Sequence, residues 1–334
     1  MGEETFYSVA STSQHELRQE DAVITSLTFA SNGQHLTTGL SNGHVLLWKV
    51  TDRALTLLHN YSTSLNRIHS IYIADIVAEG EAIQYMWITD GSIQIADLEA
   101  YVSNGEFDKV PLTHFGTELN VPITSIRGLT ESNDEQYLAL CGLDLACHMD
   151  MASGDAVSIG RVPGAFDAAL LSVSQSTLMA VASPSALTIM RCDNDPQMAV
   201  LAEQHAPRAD PFTALAVGNG VVLMGQNSGT LTLFSSKNAP VLVPVASVEL
   251  ESSILSIAVR SEQTREAGLY YPMLVAVVTE KSVSIYEDMQ LHFVRQRHGN
   301  FGPVAAWSED GTMLAYASKE GKLQITHFDR RDAE

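Results

Sequence analysis

The sequence predicts an all-β protein in which seven four-stranded blades form a closed ring, a β-propeller. Three observations point there. Short strand patterns recur along the whole chain of 334 residues. Glycine-containing turns punctuate them. No long helical period appears. Strands that recur at a fixed period of tens of residues mark a ring or solenoid, because one unit cannot bury its apolar faces alone.

The first unit spans 23–58. Residues 24–29 alternate apolar and small polar side chains, the period of a half-buried strand. Ser31-Asn32-Gly33 is a turn, and 35–39 a second strand. Asn42-Gly43 is a hairpin dipeptide, since both positions of the tight turn need positive φ. A third strand ends at Trp48, and 54–58 supply a fourth. The unit at 303–328 repeats this order, with turns at Glu309-Asp310-Gly311 and Glu320-Gly321. Weaker copies occupy 67–115, 122–160, 167–203, 211–248 and 254–296. Third strands end at Trp48, Ala96, Met149, Met190, Phe234, Tyr286 and His327, a mean step of roughly 46 residues. The seventh unit lacks a fourth strand. The apolar segment 5–10 is expected to complete it and close the ring, leaving no exposed sheet edge at a seam. The chain therefore reads as a single domain, 1–334.

Composition narrows the function. Lys and Arg number 19 against 39 Asp and Glu, a net charge of −20. That balance argues against bare nucleic acid as the main partner and leaves RNA at most a local or indirect contact. Hydrophobic residues make up 45% and charged residues 17%, which excludes a disordered chain. No stretch reaches the ~20 apolar residues of a membrane helix, so no membrane partner is expected. The three cysteines, Cys141, Cys147 and Cys192, fit reduced buried thiols in a reducing compartment better than a disulfide framework. The sequon at Asn60 is then a chance match.

No phosphate loop, HExxH or GxSxG motif occurs. His148 and Asp150 stand two apart in a strand and share a face, as a metal pair or as a structural hydrogen-bonded pair, with the second favoured. Asp193, Asn194 and Asp195 crowd one turn but lack the glycine and distal glutamate of a calcium loop. No catalytic residue, cofactor or metal site is assigned. Two segments are candidate partner surfaces. One is a short helical insertion at 97–104, with Leu98, Tyr101 and Val102 at helical spacing. The other is a compact basic cluster, Arg295, Arg297 and His298, read as a loop before the last blade.

The pattern at 308–329, SEDGTMLAYASKEGKLQITHFD, resembles a WD40-repeat blade, although Trp48-Lys49 and His327-Phe328 replace the name-giving dipeptide. The resemblance covers nearly the whole chain and implies a seven-bladed WD40-type propeller. A narrower likeness is to the WD-repeat sixth subunit of the THO complex, which couples transcription to mRNA export. It rests on ADLEAYVSNGEF after Ile95, VPITSIRGL and LALCGLDLACHMDMASGD in the third unit, SVSIYEDMQLHFV in the sixth, and overall length. That resemblance implies a non-catalytic subunit, other protein subunits as partners, and the nucleus as the address. The alternatives are a scaffold of another assembly (translation initiation, RNA decay, a coat or a pore), with the cytoplasm as its address, and a propeller enzyme or small-ligand binder using the central channel. A small-molecule ligand is the least expected.

Overall fold

The computed structural model describes residues 7–17, 22–51, 54–63, 66–78, 81–90, 92–105, 109–110, 122–130, 136–151, 155–173, 176–192, 196–218, 220–260, 263–264, 270–271, 273–288 and 290–330. They form seven four-stranded antiparallel sheets arranged as the blades of a propeller, plus a two-stranded hairpin. Blades one to six are continuous in sequence, starting at Ile24, Ser70, Ile123, Asp167, Phe212 and Ile254. The hairpin, Gln263–Thr264 with Tyr270–Tyr271, sits between the first two strands of blade six.

Each blade has two apolar faces, and each face packs on a neighbour. Among the described residues there are seven hydrophobic clusters, one for each junction between adjacent blades. Alternation along a single strand supplies both faces. In His44–Val50, Leu46 and Trp48 pack toward blade seven, while Val45 and Leu47 pack toward blade two. Second strands such as Val221–Gln226 and Leu274–Thr279 are buried throughout, because both faces are covered. The close approach of blades needs Gly39 and Gly225 in equivalent second strands. A Cβ at either would run into Ile68 or Ile254 of the next blade.

Blade seven closes the ring as expected, with a longer strand than 5–10. Tyr7–Glu16 pairs antiparallel with Lys322–Arg330, from Tyr7 opposite Arg330 to Glu16 opposite Lys322. Residues 5 and 6 lie outside the described residues. The added stretch, Ser11 to Glu16, is polar and so carried no apolar signal. A blade's outermost strand is solvated and contributes mainly main-chain pairing. A recurrent bulge supports its standing as a true fourth strand. The outer strands of blades one, three, four, five and six each carry one extra residue at the same step: Leu58, Val157, Leu201, Val245 and Val294. Ala10 is the extra residue in the closing strand. Bulges of this kind twist an edge and hinder pairing with another chain.

The insertion at 97–104 is a helix, Leu98–Asn104, capped by the Asp97 carboxylate, which accepts from the Ala100 N–H at 3.0 Å. Gly105, at φ +74°, ends it in the left-handed conformation. After it, the described part of blade two's outer strand is Lys109–Val110. In blade one the fourth strand runs Leu55–Ser62, beyond the expected end at 58.

Candidate functional site: the channel and the outer rim

The first strands of all seven blades line a central channel of about 930 Å³. Bulges in the first strands of blades one, three and five leave Thr25, Thr124 and Thr213 as the extra residues. The Thr25 hydroxyl crosses to blade two and donates to the Ile68 carbonyl at 2.6 Å. Serines continue the stitching. The Ser26 hydroxyl accepts from the Ile71 N–H at 2.8 Å, and Ser70 accepts from the Ile126 N–H at 3.3 Å. Ser125 donates to Asp167 at 2.5 Å.

Blades four and five carry alanines, Ala169 and Ala214, along this channel wall, and a charge pair spans the gap. Arg127 of blade three donates through Nε and Nη2 to both oxygens of Asp167 in blade four, at 2.6 to 3.2 Å. The same Nη2 donates to the Leu215 carbonyl of blade five at 3.1 Å. Burial works against the guanidinium charge. The Asp167 carboxylate and its hydrogen bonds outweigh that and raise the Arg127 pKa. Asp167 also accepts from the Ala168 N–H at 3.0 Å, so its lone pairs are committed. The cluster ties three blades together and offers no free base for chemistry. A lone arginine in an apolar inner strand, followed one blade later by an aspartate opening another, was the available sequence signal, and the sequence reading missed it.

Beside Tyr72 of the channel lining stands a small acidic patch whose carboxylates lie outside the lining. Ser31 donates to Asp75 at 2.9 Å and accepts from Gln84. Burial, with Asp75 and Asp310 nearby, raises the Glu309 carboxyl. Burial, with Asp75 and Glu309, pushes the Tyr72 hydroxyl up to about 12.

Elsewhere the candidate chemical groups are packed into the blades. Burial pushes the Cys141 and Cys147 thiols up to about 12, and Cys192 is buried. High thiol pKa values leave little thiolate to react. His148 is buried, with its ring centroid 4.6 Å from that of Tyr137. No group of three or more His, Cys, Asp or Glu among the described residues is arranged to hold a metal. The turn at 193–195 lies outside the described residues.

The two predicted partner surfaces fare differently. Leu98 and Tyr101 are each 1% exposed and belong to the core between blades one and two, so they are not available to a partner. Helical spacing placed them on one face, and that face points inward. Val102 packs partly buried against the same core, and its carbonyl lies 3.2 Å from His59 Nε2. Arg295, Arg297 and His298 lie on the outer strand of blade six, His292–His298, rather than in a loop. Arg295 and Arg297 pair with Ile285 and Val283 and so face blade seven, while His298 points to the other side. The structure brings the two arginines together and leaves the histidine apart.

No family model matches the sequence, and no curated protein matches it. Among solved structures, the crystal structure of the WD40 β-propeller domain of Doa1 is similar, with a TM-score of 0.66 at 16% identity. The match covers 98% of this chain and 97% of that one. Blade number, ring closure and this likeness agree, and the chain has the WD40-type seven-bladed β-propeller fold.

Proposed function

We propose that this protein is a non-enzymatic interaction scaffold within a multiprotein assembly, as WD40 propellers typically are. One observation carries the reading. Five polar residues of the channel lining, Ser26, Ser70, Ser125, Arg127 and Asp167, are spent on joining one blade to the next. The outer surface of such a ring is large enough to hold several partners at once, since a standard interface takes about 800 Å² from each.

The address we propose is the nucleus, in a THO-type assembly for mRNA export. Its support is the sequence likeness in the second, third and sixth blades, together with the helix Leu98–Asn104 ending at Gly105, where that family carries a helical insertion. The test is a tag at the native locus, gentle purification, and identification of stoichiometric companions with and without RNase. THO-type subunits that survive RNase are the expected result. A different stable assembly would keep the scaffold and replace the address. Recovery of no stoichiometric companion would overturn both.

A further inference from the structure

The outer strand of blade six presents positive charge in an otherwise acidic molecule. Arg295 is exposed and Arg297 is half-buried, both directed toward blade seven. Among the described residues, neither has a carboxylate within ion-pair distance, although acidic residues outnumber basic ones by 39 to 19. Arg297 donates to the Tyr316 hydroxyl at 3.0 Å. That hydroxyl lies 3.1 Å from Thr326 Oγ1, which lies 3.3 Å from Thr12 Oγ1 on the closing strand. Gln324 is the cross-strand neighbour of Tyr316 and shares its face. It is 7% exposed, and its Oε1 has no hydrogen-bond partner. Lys322 and Lys319 add charge nearby, partly offset by Glu16, Glu320 and Glu280. One arginine pair, a buried amide oxygen without a partner and threonine hydroxyls thus lie between two blades.

We propose that this outer surface between blades six and seven is the docking site for an extended acidic segment of a partner protein, with carboxylates two residues apart. The spacing argument is geometric. Residues two apart in a strand repeat every ~6.6 Å, so Arg295 and Arg297 match carboxylates of an extended chain at the same interval. A nucleic acid fits less well, because two arginines neutralise few phosphates and the surrounding chain repels the rest. The Val294 bulge distorts this edge, so recognition runs through side chains rather than through an added strand. The proposal rests on the scaffold reading and names a surface for it. An occupant that reaches Thr12 and Gln14 also braces the strand that closes the ring.

The test titrates the full chain with a fluorescein-labelled peptide of about ten residues, alternating glutamate and serine, at about 50 mM salt, and reads anisotropy. Salt-sensitive binding is expected, weakened about tenfold by Arg295→Glu, with no binding of the matching lysine–serine peptide. Arg295 is exposed, so this variant should fold, and Arg295→Ser serves as a second, milder probe. Glutamates three apart should bind less well than glutamates two apart. Absence of binding, or equal binding by Arg295→Glu, would overturn the proposal. Tighter binding of a labelled oligouridylate would also overturn it. So would a salt-sensitive dimer abolished by Arg295→Glu, because the surface would then hold a second copy. Companions recovered equally well with wild type and Arg295→Glu would sink this docking surface while leaving the scaffold standing.

Discussion

At blade seven the ring is joined by main chain, with Tyr7–Glu16 laid along Lys322–Arg330 in nine register pairs. Across blades three to five it is joined by side chains, with Arg127 clamped on Asp167 and reaching the Leu215 carbonyl. The two locks follow different physics. The seam depends on many weak, solvated hydrogen bonds and on the chain end staying in place. The clamp depends on one partly buried charge pair whose loss leaves the other charge stranded. The seam is therefore expected to control whether the ring closes at all, and the clamp how firmly three adjacent blades hold together.

Removal of residues 1–16 tests the first half of that contrast and should have the largest effect. It strips blade seven of its outer strand and leaves Lys322–Arg330 as an open edge. The expected loss approaches the whole folding free energy of an ordinary domain, about 5–15 kcal/mol. It should appear in calorimetry as a single cooperative collapse. A small low-temperature shoulder with the main transition intact would show that the seam only frays, and would remove it as a lock.

Asp167→Ala comes next. Arg127 would keep its charge on the channel wall without a carboxylate, and the Ser125 hydroxyl would lose its acceptor. Breaking one side of a buried pair costs about 3–5 kcal/mol, and the 38% exposure of the Arg127 side chain places this case at or below the lower end. The double variant Arg127→Met with Asp167→Ala should lose less than the sum of the singles by chemical denaturation. Strict additivity would mean that the pair is not a unit.

Leu98→Ala probes the inserted helix. If the helix is part of the core between blades one and two, truncation of this buried leucine should cost about 2–4 kcal/mol, read as a lower denaturation midpoint at unchanged slope. A change below about 0.5 kcal/mol would return the helix to the surface.

These elements also explain what the sequence revealed. Inner strands were legible because residues such as Ile24, Leu27 and Phe29 meet turns of standard chemistry, and ring closure followed from a blade lacking its fourth strand. Outer strands were less legible. Solvent covers much of them, and the bulges at Leu58, Val157, Leu201, Val245 and Val294 shift the alternation that marks a strand. The same loss of pattern hid residues 11–16 and made 295–298 read as a loop. The middle blades looked degenerate because strands such as Val221–Gln226, buried on both faces, do not alternate. Arg127 and Asp167 escaped notice because their pairing depends on which first strands the ring places side by side, 40 residues apart in sequence. Leu98 and Tyr101 were found as a helical pair, but spacing alone cannot say whether such a face looks inward or outward.

The smallest effect is electrostatic and sharpens the contrast from the opposite sign. Where the clamp joins unlike charges, the acidic patch beside Tyr72 places Glu309 near Asp75 and Asp310, and partial desolvation with these neighbours raises its carboxyl. A carboxyl whose pKa is higher folded than unfolded favours the native state while protonated, and that advantage is lost as pH rises through its folded value. Glu309→Gln removes the ionisation. Glu309 is exposed, so solvent screens the repulsion, and the gain at neutral pH should stay within about 0.5 kcal/mol. The gain should shrink toward zero as pH falls below the ordinary carboxylate range, where wild type is also neutral. Paired denaturation curves at about pH 7 and about pH 3 check the sign. A variant destabilised at neutral pH would mean that Glu309 is held there by favourable contacts, and that this acidic patch is a third lock rather than a site of strain.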